Sequence, residues 1–150
     1  MGWFGFGKKK VVNEDTEPEE KIVSATLYVF VDHKLNNEHI LNGNVIELGR
    51  AGKEFLLDFT KKWTRMAGNE IKVGYLSGIT SMISGKHLKL KKQDDGRYSV
   101  TDVGSKYGTF INGKPLNPGE NIILEDEDKI NIGHGNSASL IMFQIKYVYS

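Results

Sequence analysis

The residues with the clearest potential for function lie in one short loop, Gly104–Gly108, with the sequence Gly-Ser-Lys-Tyr-Gly. A strand is expected to end at Asp102, just before the loop, and Thr109 starts the next strand. The loop is short, polar and flexible, whereas the strands on either side belong to a packed framework. Loops that a rigid framework holds in place carry function more often than the framework itself. We therefore expect a functional site at this loop.

Three further motifs accompany the loop, and their order along the chain is informative. Gly49-Arg50 closes an apolar strand, and Ser84-Gly85-Lys86-His87 opens another. The loop itself runs on into Gly-Thr-Phe-Ile-Asn-Gly, and Asp128–Gly133 follows it. This succession of motifs resembles the forkhead-associated (FHA) domain over roughly Thr26–Tyr147. The Ser-Lys-Tyr-Gly-Thr version of the loop is similar to the loop of nibrin-family FHA domains.

Composition and turn signals indicate an all-β protein. The chain has 150 residues, with 17 glycines, 3 prolines and many short β-branched or aromatic runs, which is typical of one turn-rich domain. Asn112-Gly113 is a tight-hairpin signal, because both residues tolerate the positive φ of a type I′ turn. Many short strands indicate a sandwich or a barrel, and the resemblance implies the two-sheet antiparallel β-sandwich. Strands are expected at Thr26–Val31, Val45–Leu48, Leu88–Lys91, Tyr98–Asp102, Thr109–Ile111, Ile122–Leu124, Lys129–Ile132 and Leu140–Tyr147.

The chain is predicted to divide into a flexible charged tail, residues 1–23, and an FHA-like sandwich domain, residues 24–150. The tail has three aromatic residues, then three lysines, then a mostly acidic stretch. Such charge blocks contain too little apolar surface to offset the entropy cost of ordering. Aromatic residues beside lysines could make weak contact with a membrane surface. Stable membrane insertion is not expected, because no apolar run reaches the length of a membrane span.

An insertion is expected at about residues 51–80, between the Gly-Arg and Ser-x-x-His motifs, where FHA domains have only a short link. Phe55, Phe59, Trp63 and Met66 are spaced by four, four and three residues, which favours one helical stripe. The alternative is a strand over Glu54–Phe59, with the insertion starting only at Thr60. A further strand is indicated where Ile71, Val73 and Tyr75 alternate with other residues.

The resemblance implies that the protein binds phosphothreonine, which carries nearly two negative charges at neutral pH. Arg50 is the expected cation, because its planar guanidinium can bond two phosphate oxygens at once. Ser84 is expected to donate its hydroxyl, and Gly85 lets the anion approach its backbone N–H closely. Lys106 occupies the position of a phosphate-contacting side chain in the family.

Three more residues complete the implied phosphopeptide site. Tyr107 stands where FHA domains commonly have an Asn that bonds the main chain of the bound peptide. Tyrosine keeps a hydroxyl but loses the two-sided amide. Met82 and Ile83 precede Ser84, where the family reads residues C-terminal to the phosphothreonine, so an apolar preference is expected there.

Five other residues are expected to support the site without touching phosphate. His87 corresponds to a family histidine that braces the loops by hydrogen bonds. Asn112 belongs to the tight hairpin, and Thr109 starts a strand. The full set of expected supporting residues is Gly49, His87, Gly108, Thr109 and Asn112.

The sequence offers little for an enzyme, so no catalytic residue, metal or cofactor is expected. The carboxylates of Glu125–Asp128 lie at a turn, His33, His39 and His134 lack metal-ligand spacing, and no P-loop is present. With no cysteine, the chain has neither a disulfide nor a thiolate nucleophile. The net charge of +1 does not favour nucleic acid as a partner.

Two hypotheses about function remain. The first is a phosphothreonine-dependent module that binds a phosphorylated protein or peptide and acts as a signalling or recruitment adaptor. The second is a degenerate FHA fold that binds a protein partner without phosphate, through the insertion or a sheet face. In either case we expect an intracellular, soluble protein of the cytoplasm or nucleus, since cysteine is absent and no signal-peptide core is visible.

Overall fold

Two six-stranded β-sheets form the structure, a computed structural model that describes residues 20–58, 60–133 and 140–150. The described residues contain no α-helix, and one turn of 3-10 helix covers Thr80–Met82. The first sheet has the strand order β2 (Lys34–Ile40), β1 (Ile22–Val31), β12 (Ile141–Tyr149), β11 (Lys129–Ile132), β8 (Thr109–Ile111) and β9 (Lys114–Pro115). The second has β10 (Asn121–Ile123), β7 (Tyr98–Asp102), β6 (Leu88–Lys92), β3 (Val45–Arg50), β5 (Glu70–Val73) and β4 (Thr64–Ala67).

Strand alternation builds the core between the sheets. In β1, Ala25, Leu27 and Val29 are buried while the residues between them are only partly covered. In β12, Phe143 and Ile145 are fully buried and pair with β1 in antiparallel register. Because successive side chains of a strand point to opposite faces, one face of each sheet forms the core. The all-β sandwich predicted from the sequence is confirmed, although its first strand begins at Ile22, two residues before the expected domain boundary.

Every strand pair in the two sheets is antiparallel except one. β3 pairs antiparallel with β6 and parallel with β5, and Arg50 lies opposite Val73 at the end of that parallel pair. β3 is an inner strand of the second sheet, and Arg50 is its last residue. Arg50 therefore lies at one end of this sheet. The segments before β6 and after β7 emerge at the same end, because Leu88 pairs with Asp102. Three of the predicted motifs therefore meet at one end of the sandwich.

The predicted helix in the insertion is wrong. Residues 64–73 form the β4–β5 hairpin, and the described residues before it form turns and one isolated bridge, with no helix. Leu57 N–H donates to Tyr75 O at 3.0 Å, and Tyr75 N–H donates to Phe55 O at 2.8 Å. These bonds leave a single bridge at Leu56 in place of the alternative strand Glu54–Phe59. A short apolar run fits either period until long-range pairing selects one of them.

The insertion is nevertheless part of the core, as its apolar content requires. Trp63 is only 2% exposed and Phe55 8%, whereas Met66 is half-buried. Phe59, the fourth residue of the predicted stripe, lies outside the described residues. Asn36 of β2 accepts the Trp63 N–H at 2.7 Å through its side-chain oxygen. The insertion therefore joins the edge strands of both sheets on one side of the sandwich.

The predicted tight hairpin at Asn112-Gly113 is confirmed. Both residues have positive φ, 51° and 85°, and they connect β8 to β9. The Asn112 side chain also accepts the Lys129 N–H at 2.9 Å and donates to Asp128 at 2.9 Å. This one asparagine therefore sets the turn and fastens it to β11.

The described part of the chain has neither a membrane-spanning helix nor a metal-binding cluster. No helix there is long and apolar enough to cross a membrane. No group of three or more His, Asp or Glu side chains there could hold a metal ion. The predicted tail up to residue 19 and His134 lie outside the described residues.

Trp63→Ala tests whether the insertion is core or a tolerated loop. We expect the free energy of unfolding to fall by about 3–5 kcal/mol, because the substitution leaves a large cavity beneath β4 and β5. Leu56→Ala is the matched control, since Leu56 belongs to the same insertion and is 62% exposed. Urea unfolding of the two variants measures the difference. Equal stability of the two variants would contradict the assignment of Trp63 to the core.

Candidate functional site

The end of β3 contacts the Ser84 loop through the backbone. Arg50 N–H donates to Ser84 O at 2.9 Å, and His87 N–H donates to Leu48 O at 2.9 Å. Gly49, between the two bonds, has the Gly85 carbonyl against it. A Cβ added to Gly49 would lie 1.9 Å from that oxygen, so only glycine fits without moving the loop. Gly49 thereby lets Arg50 and Ser84 approach each other.

The Arg50 side chain is half-buried and only loosely engaged. Its Nη1 donates to Thr80 O across a long 3.5 Å hydrogen bond. Thr80 is itself buried, and its hydroxyl accepts the Leu76 N–H at 2.9 Å. A guanidinium has five N–H donors, so most of those on Arg50 are available to a ligand.

Asp102, the last residue of β7, organises the loop Gly104–Gly108. Its Oδ1 accepts the backbone N–H of Gly104 and of Ser105, each at 2.8 Å. Its Oδ2 accepts the hydroxyls of Ser105 and Thr109, each at 2.6 Å. Burial favours a higher pKa for Asp102, but these hydrogen bonds outweigh it and lower the pKa below its ordinary value. The loop is therefore folded around a buried, ionised carboxylate.

Sequence reasoning treated Asp102 only as the end of a strand. The signal that could have identified its role is an aspartate followed two residues later by Gly-Ser, since Asp side chains commonly bond backbone N–H groups two or three residues ahead. The same carboxylate explains Thr109, which is 1% exposed and donates to it.

His87 connects the two loops of the site. Its Nδ1 accepts the Ser84 N–H at 3.1 Å, so its Nε2 carries the proton and donates to Gly108 O at 2.8 Å. The imidazole has no exposed surface, and burial lowers its pKa below the ordinary value. Protonation would also place two donors face to face at Ser84. His87 thus braces both loops in its neutral form and does not reach the surface.

Ser84 and Lys106 are joined directly. The Ser84 Oγ accepts the Lys106 N–H at 3.0 Å, which leaves the hydroxyl hydrogen for a further acceptor. The Lys106 ammonium lies 5.4 Å from the ring centroid of Tyr107, and Tyr107 is 47% exposed. Both side chains, together with exposed Gly85, are on the solvent side of the loops.

Gly108 closes the loop in a conformation that favours glycine, with φ of 100°. Its carbonyl accepts the His87 Nε2–H and also the Gly133 N–H at 2.9 Å. The last predicted motif, which ends at Gly133, therefore packs against the loop. A Cβ on Gly133 would lie 3.0 Å from Met82 Cβ.

The two apolar candidates before Ser84 differ. Met82 is half-buried and borders the loops, whereas Ile83 is 2% exposed and belongs to the hydrophobic core. The expectation that Ile83 reads a bound peptide is therefore corrected, because its side chain faces inward beneath the loops. Of the seven predicted ligand-contacting residues, the structure brings the other six to one end of the sandwich: Arg50, Met82, Ser84, Gly85, Lys106 and Tyr107.

The exposed groups of this end suit an anion. They comprise a guanidinium, a hydroxyl and an ammonium, whereas the nearby carboxylate of Asp102 is buried and bonded on both oxygens. Charge-assisted donors of this kind bind phosphate or carboxylate strongly.

Comparison with known sequences gives a family match. The model of the family described as FHA domain matches residues 65–133. The match begins at Arg65, so it does not include Gly49-Arg50. The pairing of β3 with β5 and β6 places these two residues beside the matched region. Among curated proteins, the chain is 36% identical over 84 residues to an oxoglutarate dehydrogenase inhibitor of Corynebacterium diphtheriae, which covers 55% of this chain and 52% of that protein. It is 34% identical over 62 residues to the protein FraH of Nostoc sp., with 41% and 21% covered. The chain thus spans about half or less of these relatives.

Solved structures show the same fold. The solution structure of an FHA domain of an Arabidopsis thaliana hypothetical protein has a TM-score of 0.59 and 21% identity, covering 89% of this chain and 94% of that one. The N-terminal FHA domain of Saccharomyces cerevisiae Rad53p, solved in complex with a phosphothreonine peptide, has a TM-score of 0.54 and 19% identity, covering 82% and 94%. At these identities the likeness concerns the fold. Residues 65–133 thus match the FHA family in sequence, and the described chain shares the fold of solved FHA domains.

Proposed function

We propose that this protein binds phosphothreonine-containing segments of partner proteins and acts as a signalling or recruitment adaptor. One observation carries the proposal. Two hydrogen bonds hold Arg50, Ser84 and Lys106 together at the loop end: Arg50 N–H donates to Ser84 O, and Lys106 N–H donates to the Ser84 hydroxyl oxygen. The complex of the related Rad53p domain with a phosphothreonine peptide adds support for this ligand.

The chemistry of the three side chains matches a phosphate group. A phosphothreonine has a charge of about −1.5 to −2 at neutral pH and three acceptor oxygens. Arg50 would bind two of these oxygens with its planar fork. Ser84 would donate the hydroxyl hydrogen that its bond with Lys106 leaves over, and the Lys106 ammonium would add positive charge.

Tyr107 would contact the peptide next to the phosphothreonine. FHA domains commonly have Asn at this position, and its amide bonds the main chain of the bound peptide next to the phosphothreonine. The exposed phenol of Tyr107 keeps one donor and acceptor on a longer arm. We therefore propose that peptide affinity depends more on the phosphate group, and less on the peptide main chain, than it does in FHA domains with Asn at this position.

A binding role without catalysis is part of the proposal. The histidine and the carboxylate of the site, His87 and Asp102, are both fully engaged. Each ring nitrogen of His87 is hydrogen-bonded, and Asp102 accepts four hydrogen bonds. Neither reaches the surface. We place this binding function inside the cell, in the cytoplasm or nucleus, in keeping with a cysteine-free chain.

Arg50→Ala is the direct test of the phosphate site. We expect loss of nearly all binding to a phosphothreonine peptide, because removing a charge-assisted donor of this kind costs about 2–5 kcal/mol. The melting temperature should change little. Arg50→Lys should retain part of the affinity, since it keeps the charge but not the fork. Fluorescence anisotropy with phosphothreonine, phosphoserine and unmodified peptides provides the measurement.

Arg97→Ala is the matched control for Arg50→Ala. It removes the same side chain from the opposite end of the second sheet, where Arg97 pairs with Asp95 and Glu125 at 2.8 Å each. Its phosphopeptide affinity should equal that of the wild type. Binding of unmodified peptide as tightly as phosphopeptide would instead favour the phosphate-independent hypothesis.

His87 should couple stability to pH. Its pKa in the folded protein is below the unfolded value of about 6.5. The stability that neutral His87 contributes is therefore complete above that pH and is lost as the pH falls through the folded pKa. We expect the melting temperature to fall between pH 7 and pH 5, and His87→Ala to be less stable at pH 7 with a smaller further fall.

His33→Asn is the control for this pH series, because His33 is exposed and has a φ of 65° that Asn tolerates. It should keep the wild-type pH dependence. Buried His39, whose pKa is also lowered by burial, accounts for the dependence that remains in His87→Ala. An unchanged pH profile in His87→Ala would refute the coupling.

A further inference from the structure

The β4–β5 hairpin, which the insertion adds to the second sheet, carries two cations in one row. Arg65 of β4 lies directly opposite Lys72 of β5, and Lys72 lies opposite Gly49 of β3. The neighbouring residues Thr64 and Ile71 are buried between the sheets. Because side chains alternate along a strand, Arg65 and Lys72 are on the outer face of the sheet. We refer to this pair as the hairpin cations.

The hairpin cations are an unfavourable arrangement for an isolated domain. Like charges directly opposite each other in antiparallel strands are destabilising. In the described chain neither residue forms an ion pair within 4 Å. Arg65 is instead held over the ring of Phe55, 3.9 Å from its centroid. A bound anion between the two side chains would remove the repulsion.

The hairpin cations lie beside the proposed phosphate site. The row of Arg65 and Lys72 ends at Gly49 of β3. The Gly85 carbonyl lies against Gly49, and Gly85 is the residue after Ser84 of the phosphate site. Neighbouring strands are about 4.8 Å apart, so β4 is roughly 10 Å from β3. About three residues of extended peptide span that distance at roughly 3.3 Å each.

Positive charge continues past Arg65 to the edge of the sandwich. An open groove of ≈ 470 Å³ between β4 and β2 is lined by Lys61 and Lys62, and none of its described lining residues is acidic. The Lys62 ammonium is fixed by a 2.8 Å bond to the Asn36 carbonyl. The opposite trend holds further from the loops, where Glu47 lies opposite Glu70 on the same outer face. The row of hairpin cations at the loop end of this face is therefore more favourable to an anionic group than the row that holds the two glutamates.

We propose that the hairpin cations bind an acidic residue of the same phosphothreonine peptide, three to five positions from the phosphothreonine. This subsite rests on the proposed function and defines its ligand more narrowly, as phosphothreonine segments with an acidic flank. The inserted hairpin supplies the specificity, because both cations belong to it.

The test is an acidic scan with the full chain. Phosphothreonine peptides with alanine flanks receive one Glu at each position from five before to five after the phosphothreonine, and anisotropy gives each affinity. We expect one position or two neighbouring positions to bind about three- to tenfold tighter than the all-alanine peptide, in line with exposed charge pairs, and less so at high salt. Phosphoserine in place of that Glu distinguishes a second phosphate from a carboxylate as the preferred anion.

The double variant Arg65→Gln, Lys72→Gln should bind the acidic and the all-alanine peptides equally, with wild-type affinity for the latter. Lys91→Gln, Lys92→Gln is the matched control. It removes the same charge from the far end of β6 and should keep the preference. The subsite is wrong, and the proposed function stands, if the all-alanine phosphopeptide binds but no Glu position increases its affinity. The same conclusion follows if the double variant still binds the acidic peptide more tightly than the all-alanine peptide. If the wild type binds no phosphopeptide, the proposed function fails and the subsite fails with it.

Discussion

The buried imidazole of His87 connects segments that lead into different sheets. One nitrogen bonds the Ser84 backbone before β6 of the second sheet, and the other bonds the Gly108 carbonyl before β8 of the first. The loops of the site have no strand pairing of their own, so their relative position depends on this side chain and on the bond between Lys106 N–H and Ser84 Oγ. Asp102 complements it by holding one of the two loops around its carboxylate. With both residues buried, the binding surface is left to Arg50 and Lys106.

The insertion changes one side of the sandwich without disturbing that arrangement. β5 pairs parallel with β3, and β4 extends the second sheet to a new edge. Asn37 of β2 donates to Thr64 O at 2.9 Å, so the new edge is fastened to the edge strand of the first sheet. Buried Trp63 fills the space beneath it. The hairpin is therefore rigidly placed next to the loops, which is what a specificity element requires.

Net charge conceals how the cations are distributed. The chain as a whole has a formal charge of only +1, yet Arg50, Lys106 and the hairpin cations are all at the loop end of the sandwich. A local field of this kind steers and orients anionic ligands, whereas the net charge mainly governs solubility and non-specific association. The distribution explains how a nearly neutral protein can have an anion-binding end.

Much of this protein could be predicted from local sequence patterns. A continuous apolar run located β1, alternating apolar residues located β7 and β11, and Asn112-Gly113 identified its hairpin. These signals are properties of neighbouring residues. β2 was not predicted, since a mostly polar edge strand lacks that alternation and forms through its pairing with β1. The order of motifs also indicated the sandwich and placed Arg50 and Ser84 at one site.

Tertiary structure decided the features that depend on distant partners. Phe55 and Trp63 fit a helical period in sequence, but backbone pairing with Tyr75 and Gly74 made the segment extended. Ile83 was expected at the surface and is buried because the core lies directly beneath its loop. The row formed by Arg65 and Lys72 exists only through the register of β4 and β5 with β3. Register and burial depend on pairing between residues far apart in the chain, and local sequence patterns do not specify that pairing.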